Sequence, residues 1–235
     1  MDAFSGVAEF IRMTEARVHD RKFLYHLDLP AKSFIVFDKA YNLYSQFDKW
    51  TKQKIWFVTR MKDNAVYHVT KVLLDKTKKK IPKGVVKEQL VTVGYKDAQG
   101  NTLRVKLRRI TFIADDGKQY IFLTNNLTLA ASQIALIYKC RWMIELLFKQ
   151  IKQNFPLRYF WGNSENAIKM QVYCVLIAQL LMVVIRKKAA TKKSFANMIT
   201  VIRLHLMSYV ELFEFIKDTY KAWRKTHNAP NAFAT

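Results

Sequence analysis

The chain has 235 residues, is 51% hydrophobic and contains only six glycines and four prolines, a composition that builds a packed core and excludes disordered, collagen-like and low-complexity proteins. Forty Lys and Arg against 18 Asp and Glu give a formal charge of +22. That field draws polyanions (DNA, RNA or an anionic membrane surface) and argues against a merely solubilising surface, because such an excess also repels itself.

In chain order, GVAEFIRMTEA alternates apolar and polar side chains from Val7 to Met13 and predicts a strand. HDRKFLYHL follows as a short helix with Asp20 as its N-cap. In KSFIVFDKAY, Lys32 to Tyr41, the centre Phe34-Ile35-Val36-Phe37 is continuously apolar, the pattern of a strand buried on both faces. That run ends in an acid, Asp38. NLYSQFDKWTKQ has helical periodicity and KIWFVTRMKD reads as another buried strand, so the opening order is β-α-β-α-β, an α/β arrangement.

The character then changes. Between Asn64 and Ile110 twelve Lys and Arg stand against Asp75, Glu88 and Asp97, a local excess of nine. VVKEQLVTVGY, TLRVKLRRITFIA and KQYIFLTNN predict strands, with DAQGN and ADDGK as hairpin turns. Past Asn126 the pattern is mostly helical, over Leu129–Asn154, Glu165–Lys188 and Phe195–Trp223, with AATKKS at 189–194 as the linker. The expected organisation is a partial α/β core over 1–63, a basic β-rich insertion over 64–126, core-packing helices over 127–188 and a helical C-terminal region over 189–235.

The most apolar run, Val172 to Ile185, has 14 residues against the roughly 20 needed to span a bilayer, and reads as a buried core helix. MDAFSGVAEFIRM lacks the basic-then-apolar layout of a signal peptide. Cys140 and Cys174 have no metal-type spacing and suit a reducing compartment. The expectation is a soluble, cytoplasmic, polyanion-binding protein without a membrane partner. The five tryptophans are mostly core by pattern, and the five histidines show no ligand spacing.

Two acids stand out. A buried carboxylate is expensive unless paired or metal-bound. Asp38, where a strand leaves the sheet, therefore either caps the following turn or holds a divalent metal. Glu145 lies between Trp142-Met143-Ile144 and Leu146-Leu147-Phe148, and either pairs with Lys149 or sits at a core edge as a ligand. In YKCRWMIELLFKQIK, Tyr138 to Lys152, a continuous helix at about 100° per residue puts Tyr138, Arg141, Glu145 and Lys152 within roughly 60° of arc, beside a seam of Ile137, Ile144, Leu147 and Ile151. A carboxylate between cations fits metal-plus-phosphate chemistry, with Arg141 and Lys152 gripping phosphates.

The spacing Tyr138-x2-Arg141-x3-Glu145-x6-Lys152 resembles the signature helix of the DDE transposases of bacterial insertion sequences. VFDKAY resembles the segment around that family's second catalytic Asp, WFVTRMKDN the strand after it, and FPLRYFWGNSENAIKMQ the stretch after the signature helix. The resemblance implies a ribonuclease-H-like core interrupted by a β-rich insertion. It implies Mg2+ (or Mn2+) held by three carboxylates, with Asp38 and Glu145 as the second and third, and in-line phosphoryl transfer at DNA. Tyr138, Arg141 and Lys152 would contact DNA ends. An insertion aromatic such as Tyr67 or Tyr95 would stack on a distorted base. The partners implied are double-stranded transposon-end and target DNA, and a homodimer.

The family places its first acid on a strand ahead of the segment resembling VAEFIRMTEA, and Asp2, Glu9, Glu15 and Asp20 have no matching context. The expectation is therefore a truncated chain with the core's first strand missing and its neighbour's edge exposed, and with little strand cleavage on its own. The alternative is a catalytically inactive DNA-binding remnant. A ribonuclease acting on RNA–DNA hybrids fits the signature helix and the basic insertion poorly.

Overall fold

The computed structural model describes residues 13, 20–75, 83–155, 157, 159–206 and 211–227. The strand expected from Val7 lies outside them apart from Met13, which is not in a strand, and so do four of the insertion's lysines, Lys76, Lys78, Lys79 and Lys80. The chain divides into two units, Met1–Met143 and Ile144–Thr235.

The first unit is built on one mixed sheet. Its strands are β1 (Phe34–Val36), β2 (Trp56–Arg60), β3 (His68–Asp75), β4 (Val85–Lys96), β5 (Thr102–Ile113) and β6 (Gln119–Thr124), in spatial order β1-β2-β6-β5-β4-β3. The β1–β2 pair is parallel and the remaining pairs are antiparallel. This is the α/β class read from the sequence, a mixed sheet with helices consistent with a ribonuclease-H-like core. The strands of the basic segment continue the core sheet: β6 pairs with β2 through Val58 and Thr124. The side chain of Asn125 extends that join, accepting from Phe57 N and donating to Ile55 O.

Alternation along the strands separates two cores, since neighbouring side chains point to opposite faces. Phe57 and Leu123 face helix α1 (Tyr44–Lys52), whose Phe47 and Trp50 are fully buried beside Phe37. Val58 and Phe122 face helix α2 (Ala131–Lys139), through Ile134 and Tyr138. Phe47 and Phe57 stack at 4.2 Å between ring centroids. Burying side chains of this size contributes about 1.5–3 kcal/mol each.

Several expectations need correction. The segment from Asp20 is a 3-10 helix, Asp20–His26, with Asp20 as its first residue rather than its cap. β1 is three residues long, and Phe34 is 39% exposed. Ile35 and Val36 are only partly buried, so β1, an edge strand among the described residues, is not buried on both faces. β3 was not anticipated at all. The helix expected over Leu129–Asn154 is two helices, α2 and α3 (Trp142–Asn154), separated by a turn at Cys140–Arg141. There the backbone switches to i→i−3 bonds: Cys140 N to Ile137 O, Arg141 N to Tyr138 O and Met143 N to Cys140 O. A 3-10 turn takes three residues per turn, so the angular arithmetic of one continuous α-helix does not carry across it.

In the second unit, α4 (Glu165–Ala189) is capped by Ser164, whose side chain accepts from Ala167 N, and ends at Ala190 in the left-handed region, φ 46°. Ser194 caps α5 (Phe195–His205) in the same way. α6 (Leu212–Lys217) and α7 (Thr219–His227) follow, so the last helical stretch is three helices. Met198, Ile202 and Ile216 form the centre of this unit's core. The apolar run in α4 is not the buried core helix expected: only Val175, Gln179 and Ala189 of α4 are buried, and Met170, Tyr173, Ile177, Leu181 and Val184 are exposed. By length and composition α4 could cross a membrane; a single such helix is weak evidence of one. Of the tryptophans, Trp50 is core, whereas Trp142, Trp161 and Trp223 are exposed.

Candidate functional site

Asp38 stands two residues beyond β1. It caps the 3-10 turn Lys39–Tyr41, its Oδ1 accepting from Ala40 N at 3.1 Å. Its Oδ2 accepts from Arg60 Nη2 at 3.3 Å, in an ion pair about a third exposed on both sides. Arg60 is the last residue of β2, and the parallel pairing of β1 with β2 brings the two strand ends together. Its guanidinium also lies 6.0 Å from the centroid of the Tyr120 ring.

Two residues of the signature join this cluster. Tyr138, in the last turn of α2, packs its ring on Phe122 at 5.0 Å and is 8% exposed. Burial pushes its phenol above the ordinary value, opposed by the nearby charges of Arg60 and Arg141, while Asp38 acts with the burial. Arg141 occupies the turn between the helices, with its guanidinium 5.7 Å from the Tyr138 ring centroid. Residues 38, 60, 138 and 141, scattered through the sequence, therefore share one electrostatic neighbourhood on the first unit.

Glu145 and Lys152 belong to the second unit. Glu145 lies in the first turn of α3 and is partly buried; Lys152 is exposed in its last turn. Leu147 and Ile151 are the buried positions of that helix and Ile144 is partly buried, whereas Ile137, the first residue of the seam read from the sequence, lies on α2 before the break.

Arg60 is the residue that sequence reasoning passed over. A signal was present: an arginine closing a strand as apolar as WFVTR needs a partner, and a parallel neighbour ending in Asp38 supplies it. Of the two insertion aromatics, Tyr67 lies against the Arg109 guanidinium at 5.2 Å and Tyr95 donates to Asp48 at 2.8 Å.

The donor chemistry of Asp38, a hard carboxylate, suits a divalent cation such as Mg2+. Among the described residues no group of three His, Cys, Asp or Glu side chains comes together, and both Asp38 oxygens already serve Ala40 N and Arg60.

The family profile described as "Transposase DDE domain" matches residues 1–181. A Sinorhizobium fredii protein named as the transposase y4zB is 32% identical over 181 residues, 77% of this chain and 50% of that protein. A Geobacillus stearothermophilus protein named as the transposase of insertion sequence element IS5377 is 30% identical over 155 residues, 65% of this chain and 39% of its own length. A Synechocystis protein named as the transposase of insertion sequence element IS4SA is 30% identical over 172 residues, covering 69% and 44%. The chain thus spans half or less of the length of these curated relatives.

Proposed function

This chain belongs to the DDE-domain transposase family, and from that premise we propose that it is a DNA-acting polypeptide of insertion-sequence type whose phosphate-facing chemistry centres on Asp38 and Glu145. The observation that carries the reading is the Asp38–Arg60–Tyr138–Arg141 cluster, which pairs a strand-end carboxylate with Arg60 at the mouth of the parallel strand pair and sets a second cation, Arg141, against the Tyr138 ring. Open α/β sheets bind ligands at the carboxyl ends of parallel strands.

In this proposal Arg141 and Lys152 hold phosphates flanking the reacting one, and Arg60 neutralises Asp38 when no other cation does. Tyr138 acts from beneath, as a buried ring that fixes the direction of Arg141. Strand cleavage and transfer by two-metal chemistry is the family's reaction class, with Mg2+ or Mn2+ as the expected ion. Work in the cytoplasm and pairing of two copies on two DNA ends belong to the same proposal.

The engagement of both Asp38 oxygens, by Ala40 N and Arg60, favours a second reading, a chain that binds DNA without cutting it. One experiment separates the two. Purified protein is incubated with an end-labelled duplex, in EDTA and in Mg2+, alongside Asp38→Asn and Glu145→Gln. Retention of the duplex in EDTA with no Mg2+-dependent product is the result expected of this chain alone. Nicking that needs Mg2+ and disappears in Glu145→Gln would overturn the non-cutting reading and establish the nuclease. A protein that does not bind duplex at all sinks both.

A further inference from the structure

Resting on the reading of the chain as DNA-acting, we propose that the outer half of one face of the β3–β4–β5 sheet is a separate surface for the phosphate backbone of duplex DNA, formed by Lys71, Lys96, Arg104 and Lys106 with His68. The register puts these side chains on one face. His68 pairs with Thr92, which pairs with Lys106; Lys71 pairs with Leu90, which pairs with Arg108; Gly94 pairs with Arg104; and Lys96 pairs with Thr102. Residues directly opposite each other on antiparallel strands share a face. The other face of the same ribbon is committed to the core, through Val91, Val93, Val105 and Leu107.

Arginine and lysine alternate along β5 at Arg104, Lys106 and Arg108, but their fates differ. Arg108 is buried and neutralised by Glu88 at 2.8 Å. Lys106, Arg104, Lys96 and Lys71 are exposed, and none of them forms an ion pair among the described residues. The acid nearest Lys96 in sequence, Asp97, is occupied by its own turn, accepting from Gln99 N and Asn101 N. Thr92 between His68 and Lys106 and Gly94 beside Arg104 are small and leave the strip open, and Leu90 beside Lys71 is partly buried. Among the described residues the strip thus has cations without counter-ions, held on the sheet, and its paired positions expose no large apolar side chain to enter a lipid surface. Cations two residues apart on a strand are about 6.8 Å apart, the axial rise of two phosphates along one DNA strand.

The test is the salt dependence of binding. Fluorescence anisotropy with a 30-base-pair duplex in EDTA follows the full chain, a K71Q/R104Q/K106Q variant, and a K187Q/K188Q/K192Q control of equal net charge. Each phosphate contact contributes about 0.9 to the slope of log K against log salt. The sheet variant is expected to lose about 2.7 from that slope, so that between 50 and 200 mM salt the parent loses roughly 40-fold more affinity than the variant does. The control should keep the parental slope, as should the charge-conserving K71R/R104K/K106R. An unchanged slope in the sheet variant, or an equal loss in the control, overturns the surface while leaving the DNA-acting reading intact. A parent that ignores duplex, or that binds phosphatidylserine vesicles instead, overturns the surface and the DNA-acting reading together.

Discussion

Tyr138 belongs both to the signature and to the core. The spacing of the signature makes it a candidate DNA contact, yet its ring is 8% exposed and packed on Phe122. If it is core, Tyr138→Ala should cost about 3–5 kcal/mol in urea denaturation, as large-to-small aromatic truncations do. Tyr138→Phe should stay under about 1.5 kcal/mol. A surface contact would leave both within roughly 0.5 kcal/mol of the parent. The contact between Asp48 and Tyr95 links the fold to pH. Asp48 accepts from the Tyr95 hydroxyl and forms an ion pair with Lys52, both at 2.8 Å or less. Burial opposes ionisation of Asp48, but the hydrogen bonds from Lys52 and Tyr95 outweigh it and hold the carboxyl below its usual range. Burial, then Asp48, pushes the Tyr95 phenol up to about 12. The lowered carboxyl stabilises the fold above its unfolded value near 3.8 and loses that contribution as pH falls through the lowered one. The raised phenol stabilises below 10 and loses its contribution as pH rises towards 12. The melting-temperature gap between parent and Tyr95→Phe should therefore be flat across the neutral range and narrow at both ends. A gap constant at every pH would show that the bond is not linked to either proton.

Among elements, the turn that launches α2 is fixed from inside the sheet. Arg108 on β5 donates to Glu88, to Asn126 O and to Leu129 O, while Asn126 Oδ1 accepts from Thr128 N and Leu129 N. Removing one partner of a buried pair strands the other charge, typically at 3–5 kcal/mol. Arg108→Leu should fall in that range and the double variant Arg108→Leu, Glu88→Leu should recover part of it; equal losses would mean that Glu88 is solvated without its partner. The elements that could be read from the sequence were those with a one-sided or two-sided apolar period: β2, β4, β5, β6 and α1. β3 escaped because it is exposed on both faces, with Val69, Val72 and Leu73 all open to solvent, and because its register shifts at two places. The break at Cys140–Arg141 escaped because neither residue is a helix breaker; the change to i→i−3 bonds has no sequence mark. The candidate site was half legible for the same reason. Asp38 and the signature residues are marked by local pattern, whereas Arg60 enters only through the pairing of β1 with β2.

For the whole molecule, the excess of 22 positive charges acts on folding and on binding with opposite signs. Folding concentrates like charges, so self-repulsion destabilises the compact state, and salt that shortens the Debye length from about 30 Å at 0.01 M to about 8 Å at 0.15 M relieves it. Binding to a polyanion is driven by released counterions, which the same salt opposes. The burial of Arg108 against Glu88 leaves stability in this part of the sheet little dependent on salt, while exposed cations such as Lys71, Arg104 and Lys106 respond fully. Raising NaCl from 20 to 200 mM should therefore raise the melting temperature of the free protein while its affinity for duplex DNA falls by orders of magnitude. Scanning fluorimetry without DNA and anisotropy with it, on one preparation, measure the two together. A melting temperature that falls with salt would mean that attractive surface pairs, such as Lys39–Asp63 and Lys83–Asp115, outweigh the net repulsion. The positive field would then be a property of local strips rather than of the molecule as a whole.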